Sequence, residues 1–230
     1  MTDPTPRTAV ALPDRIATVL FDLDGTLTDP AVGIVTAIRH AMATLGRPLG
    51  AEVPLGWCIG PPLREVFLRL LDGDAGSVEP AIAAYRAYYG TVGLFENVVY
   101  PGIPHLLEDL RARGVTLILA TSKPHLYAAR ILERFGLAPA FRAVHGAEFD
   151  GTRAVKTELV PWIVATEALD PTATVMVGDR EHDVIGARAA GVACIGVAWG
   201  YGAPGELEAA GAAAVVGSVD ALAAILERRR

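Results

Sequence analysis

Two aspartates separated by a single residue are the first feature of the sequence that could do chemistry. Asp22 and Asp24 stand in the segment Asp-Leu-Asp-Gly-Thr at residues 22–26, directly after an apolar run. Side chains alternate along an extended chain, so both carboxylates project to the same side and repel each other unless a positive charge lies between them. The motif alone leaves two interpretations open: a cation site, or a strand-ending turn with two solvated aspartates.

A second acidic cluster, Val-Gly-Asp-Arg-Glu-His-Asp, occupies residues 177–183. Asp179 and Asp183 are four residues apart and would share one face of a helix. Three acids directly after an apolar strand suit a hard cation such as Mg²⁺, because this ion prefers oxygen ligands. His182 is therefore interpreted as an incidental helix residue and not as a ligand. Acidic residues at a helix start can also serve solely as partners of the helix dipole.

Hydroxyl groups follow another apolar run, in the segment Ala-Thr-Ser-Lys-Pro at residues 120–124. Pro124 is well placed as the first residue of a helix, with Thr121 and Ser122 just before it. Free backbone N–H groups at such a helix start bind phosphate. Simple capping of the helix by the same two hydroxyls is the commoner explanation of the segment on its own.

Lys156 is the fourth candidate for chemistry. It is predicted to lie near the start of a helix, where a positive charge opposes the helix dipole, and this mild penalty suggests a use elsewhere. A solvated surface lysine is the commoner explanation, and Arg153 competes for the same role.

The elements that must position these residues are short apolar strands that alternate with helical patterns. The strands are unbroken apolar runs, as expected when both faces of a parallel sheet are covered. This alternation predicts an α/β fold with a doubly wound, parallel-sheet (Rossmann-like) core. Open sheets of this type bind ligands at the carboxyl ends of their strands, where all four segments fall. The predicted strands span residues 17–21, 115–120, 143–145, 174–177, 193–197 and 213–216.

The segment between the first two predicted strands is too long for a simple crossover, and its pattern predicts helices. We therefore predict an inserted α-helical cap at residues 29–100, with the catalytic core formed by residues 1–28 and 101–230. Turn-forming residues at both edges suit hinges. The predicted helices of the insertion span residues 32–45, 63–71 and 78–94, and those of the core span residues 103–113, 125–135, 156–168 and 184–190. Pro161 would kink the third core helix or mark its start.

Composition excludes several classes of function. The 230 residues are 52% hydrophobic and carry a formal net charge of -6, which favours a globular protein without a nucleic-acid partner. No apolar run is long enough for a membrane span, and no signal core is present, so a cytoplasmic protein is expected. Cys58 and Cys194 read as two buried thiols. No phosphate-binding loop of the Gly-x-x-x-x-Gly-Lys type and no dinucleotide fingerprint occurs.

Taken together, the motifs resemble those of the haloacid dehalogenase superfamily of phosphohydrolases. The matching residues are Asp22-Leu23-Asp24-Gly25-Thr26-Leu27, Thr121, Lys156, Gly178-Asp179 and Asp183. Within the superfamily the chain is most similar to phosphoglycolate phosphatases, on the segments at residues 59–63 and 148–153. Similar sequences are also associated with nucleotidase activity.

The resemblance implies a mechanism and a cofactor. Asp22 would attack phosphorus and become an aspartyl phosphate, while Asp24 would protonate the leaving oxygen and then activate water. The presence of Asp24 favours phosphoryl transfer over carbon–halogen chemistry. Mg²⁺ would bind Asp22, Asp179 and the backbone carbonyl of Asp24, with Asp183 as a ligand or just behind it. Thr121, Ser122 and Lys156 would hold the phosphate, and Arg64 of the cap could meet an anionic substrate tail.

The expected activity is hydrolysis of a small-metabolite phosphate monoester, with phosphoglycolate as the first candidate and a nucleoside monophosphate as the second. A sugar-phosphate mutase of the same superfamily and a non-enzymatic binding protein are the alternatives. A phosphate ester is the expected partner, without nucleic acid or membrane, and the protein is expected to be a monomer or a homodimer.

Overall fold

The computed structural model describes residues 9–229, and its centre is a six-stranded, fully parallel sheet. The strands are β1 (Thr18–Phe21), β4 (Thr116–Pro124), β5 (Ala143–Ala147), β6 (Thr174–Gly178), β7 (Ala193–Val197) and β8 (Ala214–Val216). They lie in the order β5-β4-β1-β6-β7-β8. The predicted doubly wound α/β core is confirmed.

Two hydrophobic layers cover the sheet because consecutive residues of each strand face opposite sides. In β1, Val19 and Phe21 belong to one buried cluster and Leu20 to the other. The same alternation divides Val175 and Val177 of β6 from Met176. A strand buried on both faces needs apolar residues at every position, which is why these strands read as unbroken apolar runs.

Helices flank the sheet on both sides. In the core they are α4 (Ile103–Ala112), α5 (His125–Arg134), α6 (Lys156–Thr166), α7 (Glu181–Ala189), α8 (Glu206–Ala210) and α9 (Val219–Glu227). The first four correspond to the predicted helices, and α8 and α9 were not predicted. Leu159 and Ile163 of α6 pack in the same cluster as Leu20, whereas Leu222 of α9 packs in the other.

The prediction that Pro124 begins a helix is wrong, and so is the alternative that Pro161 marks the start of one. Pro124 is the last residue of β4 and precedes α5, so it does not begin the helix. Pro161 lies inside α6, which begins five residues earlier at Lys156. A proline at this depth removes one backbone donor from the helix.

A helical segment interrupts the sheet between β1 and β4. It contains α1 (Ala31–Thr44), α2 (Leu63–Leu70) and α3 (Ala75–Tyr89). The chain enters it through β2 (Thr28–Asp29) and leaves it through β3 (Val98–Val99), and these two short strands pair with each other. The segment coincides with the predicted insertion, and its role as a separate cap domain stays a prediction.

The order of the strands creates a switch point beside β1. The chain passes from β1 to β4 and β5 on one side, then crosses to β6, β7 and β8 on the other. Ligands of open α/β sheets bind at such a point, outside the carboxyl ends of the strands. Among the helices of residues 9–229, none combines the length and apolar character that a membrane crossing requires.

Candidate active site at the carboxyl ends of the strands

Three buried aspartates meet at the switch point. Asp22 follows β1, Asp179 follows β6, and Asp183 lies in the first turn of α7. Each offers one carboxylate oxygen, and these oxygens lie within 4.8 Å of one another. The sheet therefore brings together two acidic segments that are far apart in the sequence.

The convergence of Asp179 and Asp183 has a different cause from the predicted one. Helix α7 begins at Glu181, so Asp179 lies in the preceding loop and does not share a helical face with Asp183. Asp183 is instead fixed by the start of the helix, where its Oδ2 accepts a hydrogen bond from the backbone N–H of Arg180 at 3.1 Å. This bond orients the carboxylate while it satisfies a free helix N–H group.

Lys156 is the cation that joins the acidic residues. Its side chain is 4% exposed, and Nζ lies 2.8 Å from Asp22 Oδ1 and 2.6 Å from Asp183 Oδ1. Nζ also donates to the backbone carbonyl of Ala120 at 2.7 Å. The unfavourable position of a lysine at the start of α6 is thus explained by contacts across the sheet. Arg153, the competing candidate, pairs with Glu148 instead.

Electrostatics show an excess of negative charge in this group. Burial raises the pKa of Asp179 well above its usual value, and the carboxylates of Asp183 and Asp22 raise it further. Burial also raises the pKa of Asp183, although Lys156 opposes the shift. Burial alone would lower the pKa of Lys156, but Asp183 and Asp22 outweigh it and raise that pKa above its usual value. Three buried acids against one lysine favour a bound cation.

Two glycines and the loop after β7 pack closely around the carboxylate of Asp179. Gly25 has φ of +84°, and a Cβ added there would overlap the carboxylate of Asp179. Gly200 approaches the same carboxylate as closely, and the backbone N–H of Tyr201 donates to Asp179 Oδ2 at 2.7 Å. Thr26 Oγ1 approaches Asp179 Oδ1 at 3.4 Å. The small residues are needed because backbone from two loops packs directly on the carboxylate.

Asp24 lies apart from the three-aspartate group and has its own cation. Its Oδ2 is 2.7 Å from Nζ of Lys123, and both side chains are buried. Burial raises the pKa of Asp24, and the ion pair with Lys123 lowers it in part. The carboxylate of Asp24 is thus engaged away from the predicted metal ligands, which leaves its backbone carbonyl for the role that the resemblance implies.

The two predicted phosphate-binding hydroxyls lie in strand β4 and not at a helix start. The pairing of β4 with β5 is irregular between Thr121 and Pro124, and Ser122 lies within this irregular end. Thr121 is buried, and its Oγ1 accepts a hydrogen bond from the backbone N–H of Lys123 at 3.3 Å. Both hydroxyl residues line the cavity beside Asp22.

A cavity of about 220 Å³ opens between the sheet and the helical insertion. Asp22 and Asp24 are among the residues that line it. Aromatic residues from both segments form much of its wall, namely Tyr85, Tyr89, Tyr127 and Phe149. The carboxylates of Asp22 and Asp24 therefore border a space that could hold a small organic molecule.

Arginines of the insertion border the same cavity. Arg64 is mostly exposed, at 64% of its side chain, and pairs with Glu79. Arg86 donates to the backbone carbonyl of Phe149 at 2.6 Å, and its guanidinium lies 5.0 Å from the centre of the Phe149 ring. Arg64 thus borders the cavity, but its charge is already paired, and its contact with a substrate stays a prediction.

Other residues considered from the sequence are not members of the three-aspartate group. His182 borders a separate, shallow pocket with Trp57 and Arg180. Cys58 and Cys194 are buried free thiols, as predicted, and burial raises the pKa of Cys58 to about 12.

Sequence reasoning missed three contributors to the site: Lys123, Tyr89 and the loop around Tyr201. Lys123 carried a usable signal, because it is one of only two lysines in the sequence and lies beside Thr121 and Ser122. Tyr89 carried none, since its contact with Lys123 depends on how the insertion packs on the sheet.

Comparisons with known proteins agree with this geometry. The chain matches the family model of haloacid dehalogenase-like hydrolases over residues 19–197. A 5'-nucleotidase of Pseudomonas aeruginosa is 44% identical over 195 residues, or 85% of this chain and 88% of that protein. Phosphoglycolate phosphatase 1 of the same organism is 32% identical over 192 residues, or 80% of this chain and 70% of that protein.

The tyrosine-protein kinase PtkA of Mycobacterium tuberculosis is 45% identical over 184 residues, which cover 80% of this chain. The match covers 62% of PtkA, so the chain spans less than two thirds of that relative. A predicted phosphatase from Clostridium acetobutylicum has a crystal structure with a TM-score of 0.89 and 39% identity, covering 93% of this chain and 99% of that one. On the family match and these relatives, the chain belongs to the haloacid dehalogenase-like hydrolases.

Proposed function

We propose that the protein hydrolyses phosphate monoesters of small metabolites, with Asp22 as the nucleophile and a divalent cation, Mg²⁺, at the three-aspartate group. The observation that carries the proposal is the convergence of Asp22, Asp179 and Asp183 with Lys156, beside the cavity that Asp22 lines. The class of enzyme, a phosphoric monoester hydrolase, is supported by the family and by relatives named phosphatases.

The residues fit a divalent cation by their chemistry. Asp22, Asp179 and Asp183 supply carboxylate oxygens, which are the ligands that Mg²⁺ prefers. The raised pKa of Asp179 reflects buried negative charge that a cation would relieve. When bound, the ion would reduce repulsion between these carboxylates and an incoming phosphate.

Asp22 and Asp24 divide the chemistry between them. A carboxylate oxygen of Asp22 attacks phosphorus and the bond to the ester oxygen breaks, leaving an aspartyl phosphate. Asp24 gives its proton to the departing oxygen, then takes a proton from the water that attacks the aspartyl phosphate. The raised pKa of Asp24 suits a group that must carry a proton in one step and lose it in the next.

The remaining predicted residues hold the phosphate. Thr121 and Ser122 line the cavity at the carboxyl end of β4 and offer hydroxyl donors. Lys156 lies 2.8 Å from Asp22 and is placed to balance negative charge as the phosphoryl group approaches.

Two substrate candidates have separate support. Phosphoglycolate is supported by a relative of that name and by Arg64 and Arg86 at the cavity, which could meet its carboxylate. A nucleoside 5'-monophosphate is supported by the relative named a 5'-nucleotidase and by the aromatic wall, because a planar base stacks well on such rings. Side-by-side kcat/KM values for phosphoglycolate and adenosine 5'-monophosphate decide between them.

The acceptor of the phosphoryl group separates hydrolysis from transfer. A mutase would give an isomerised sugar phosphate, and an activity like that named for PtkA would label a tyrosine. Release of inorganic phosphate in proportion to substrate consumed supports hydrolysis.

The cytoplasm remains the proposed location of the protein. Two buried free thiols support it, because cysteines stay reduced in that compartment.

The direct test is a phosphate-release assay over a panel of metabolite phosphates with Mg²⁺, with wild type and Asp22→Asn. We expect turnover by wild type, none by the variant, and none after chelation of the metal. Ca²⁺ should not restore activity, because its looser coordination would misplace the attacking carboxylate. Equal turnover by Asp22→Asn would refute the assignment, and no turnover of the panel by wild type would favour a non-enzymatic role.

A further inference from the structure

Lys123 is a buried cation that the mechanism above does not use. Its side chain is 5% exposed, and Nζ lies 2.7 Å from Asp24 Oδ2. Nζ also donates to the hydroxyl of Tyr89. The backbone N–H of the same residue bonds to Thr121 Oγ1 at 3.3 Å, so both ends of Lys123 are tied to groups at the cavity.

The two oxygens of Asp24 differ in what surrounds them. Oδ2 is paired with Lys123, whereas Oδ1 is buried and has no hydrogen-bond partner among residues 9–229. A buried carboxylate oxygen without a partner is unusual and costs free energy unless a ligand or water completes it. Asp24 lines the cavity, so a bound substrate could supply that partner.

Tyr89 fixes Lys123 from the side of the helical insertion. Tyr89 ends α3, is buried, and stacks on Tyr85 with ring centres 5.1 Å apart and an angle of 16° between the planes. Its hydroxyl therefore has little freedom of position. Lys123 belongs to β4 and Asp24 to the turn after β1, so the chain of contacts from Tyr89 to Asp24 exists only where the insertion packs on the core.

From this geometry we infer that Lys123 is a positioning residue, which holds Oδ2 of Asp24 so that Oδ1 exchanges the proton with the leaving group. Tyr89 completes the arrangement by holding Lys123. The inference rests on the proposed function and adds to it the residues that set the acid. In the first step the proton on Oδ1 passes to the ester oxygen as its bond to phosphorus breaks and the bond from Asp22 to phosphorus forms. In the second step Oδ1 takes a proton from water as the water oxygen bonds to phosphorus and the Asp22 oxygen leaves.

This role has a kinetic signature. An alkyl ester has a strongly basic leaving oxygen and needs the proton from Asp24, whereas a para-nitrophenyl ester has a weakly basic one and leaves without it. Misplacing Asp24 should therefore lower kcat/KM for the alkyl ester selectively. A residue that only supports the fold, or that binds the phosphate, would lower kcat/KM for both esters alike. A residue that only binds the organic group would raise KM for the alkyl ester and leave its kcat unchanged, whereas misplacing Asp24 lowers that kcat.

The experiment measures kcat/KM of Lys123→Met and Tyr89→Phe on para-nitrophenyl phosphate and on one alkyl ester, either phosphoglycolate or adenosine 5'-monophosphate. For Lys123→Met we expect the alkyl ester to lose about tenfold or more relative to the aryl ester. Tyr89→Phe removes one hydroxyl and should give the same selective loss, about fivefold. Asp24→Asn is the reference variant, because it shows how kcat/KM for the two esters changes when the acid is removed altogether.

Tyr88→Phe is the matched control, because it removes a hydroxyl from the neighbouring residue of α3, which bonds Glu96 at 3.4 Å and does not line the cavity. It should leave both esters unchanged. Equal losses on the two esters, or no loss in either variant, would overturn the role of Lys123. If Lys123→Met fails to fold, Tyr89→Phe decides alone. Absence of turnover by wild type would instead overturn the proposed function.

Discussion

The two lysines of the sequence mark two halves of the site that are built in different ways. Lys156 joins Asp22 and Asp183, and every member of that half comes from the sheet and its connections. Lys123 joins Asp24 to Tyr89, so its half depends on contact between the sheet and the helical insertion. The first half is fixed by the fold of the core, whereas the second exists only when two segments of the chain meet.

This difference suggests that the two halves of the site have different functions. The half around Lys156 gathers negative charge that favours a cation and, in the proposed mechanism, would present the nucleophile. In the proposed mechanism the half around Lys123 would orient the acid against the leaving group, next to the cavity wall that the substrate would touch. Changes in the first half should affect every substrate, and changes in the second should depend on the substrate.

Asp22→Asn should have the largest effect, because it removes the attacking oxygen and one ligand oxygen together. We expect a loss of kcat of about a thousandfold or more on every phosphate ester. Circular dichroism should show an unchanged fold. A loss confined to alkyl esters would break the comparison, since it would assign Asp22 to leaving-group chemistry.

Lys156→Met should have the second-largest effect. Removing one partner of a buried ion pair leaves uncompensated charge, so the free energy of unfolding should fall by about 3 kcal/mol in the absence of metal. Activity should fall on aryl and alkyl esters alike, in contrast to Lys123→Met. Denaturant melts of the two variants measure the first effect, and unchanged stability of Lys156→Met would contradict the tight grouping of its carboxylates.

The third-largest effect should be the pH dependence of the stability that Mg²⁺ adds to the protein. Burial raises the pKa of Asp179 and Asp183, so their protonated forms stabilise the metal-free protein at low pH, and this stability is lost as pH rises through the raised pKa values. Protons and metal then compete for the same oxygens. Saturating Mg²⁺ should raise Tm by roughly 5–10 °C at neutral pH and by less at mildly acidic pH.

Asp179→Asn is the control for this effect, because it removes one of the three carboxylates without changing the shape of the side chain. The rise in Tm with Mg²⁺ should shrink at neutral pH. A shift that is the same at both pH values in wild type would contradict the buried, proton-binding character of the group.

Arg64→Ala should have the smallest effect. The Arg64 side chain is exposed and already paired with Glu79, so we expect Tm to change by no more than about 1 °C. KM for phosphoglycolate should rise by a few fold if Arg64 meets the substrate carboxylate, while KM for para-nitrophenyl phosphate stays constant. An equal rise for both substrates would remove Arg64 from substrate selection.

Sequence patterns predict the half around Lys156 well, because its parts follow from local rules. Apolar runs mark the strands, and acids directly after those runs must lie at the carboxyl edge of a parallel sheet. Asp22 and Asp179 follow from this rule, whereas Lys156 was suggested by the unfavourable position of a positive charge at the start of a helix. Strand and helix bounds agree to within a few residues for most elements of the core.

The half around Lys123 was not predictable on the same grounds. No periodicity relates Tyr89 to Lys123, which are 34 residues apart and meet through packing of α3 against the sheet. The short elements α8, β2 and β3 were also missed, since brief segments carry too little periodicity, and α9 was missed although it is as long as α7. Thr121 and Ser122 were identified as residues but placed at a helix start, because the strand β4 continues further than its apolar run.

Trapping the phosphoryl group on the protein tests the central claim most directly. Asp24→Asn should slow attack by water on the aspartyl phosphate, so para-nitrophenyl phosphate should leave the group attached long enough to be quenched in acid. Mass spectrometry of the digested protein should then find one phosphoryl group on the peptide that contains Asp22. Turnover by wild type together with a phosphoryl group on any other residue would contradict the assignment of Asp22 as the nucleophile.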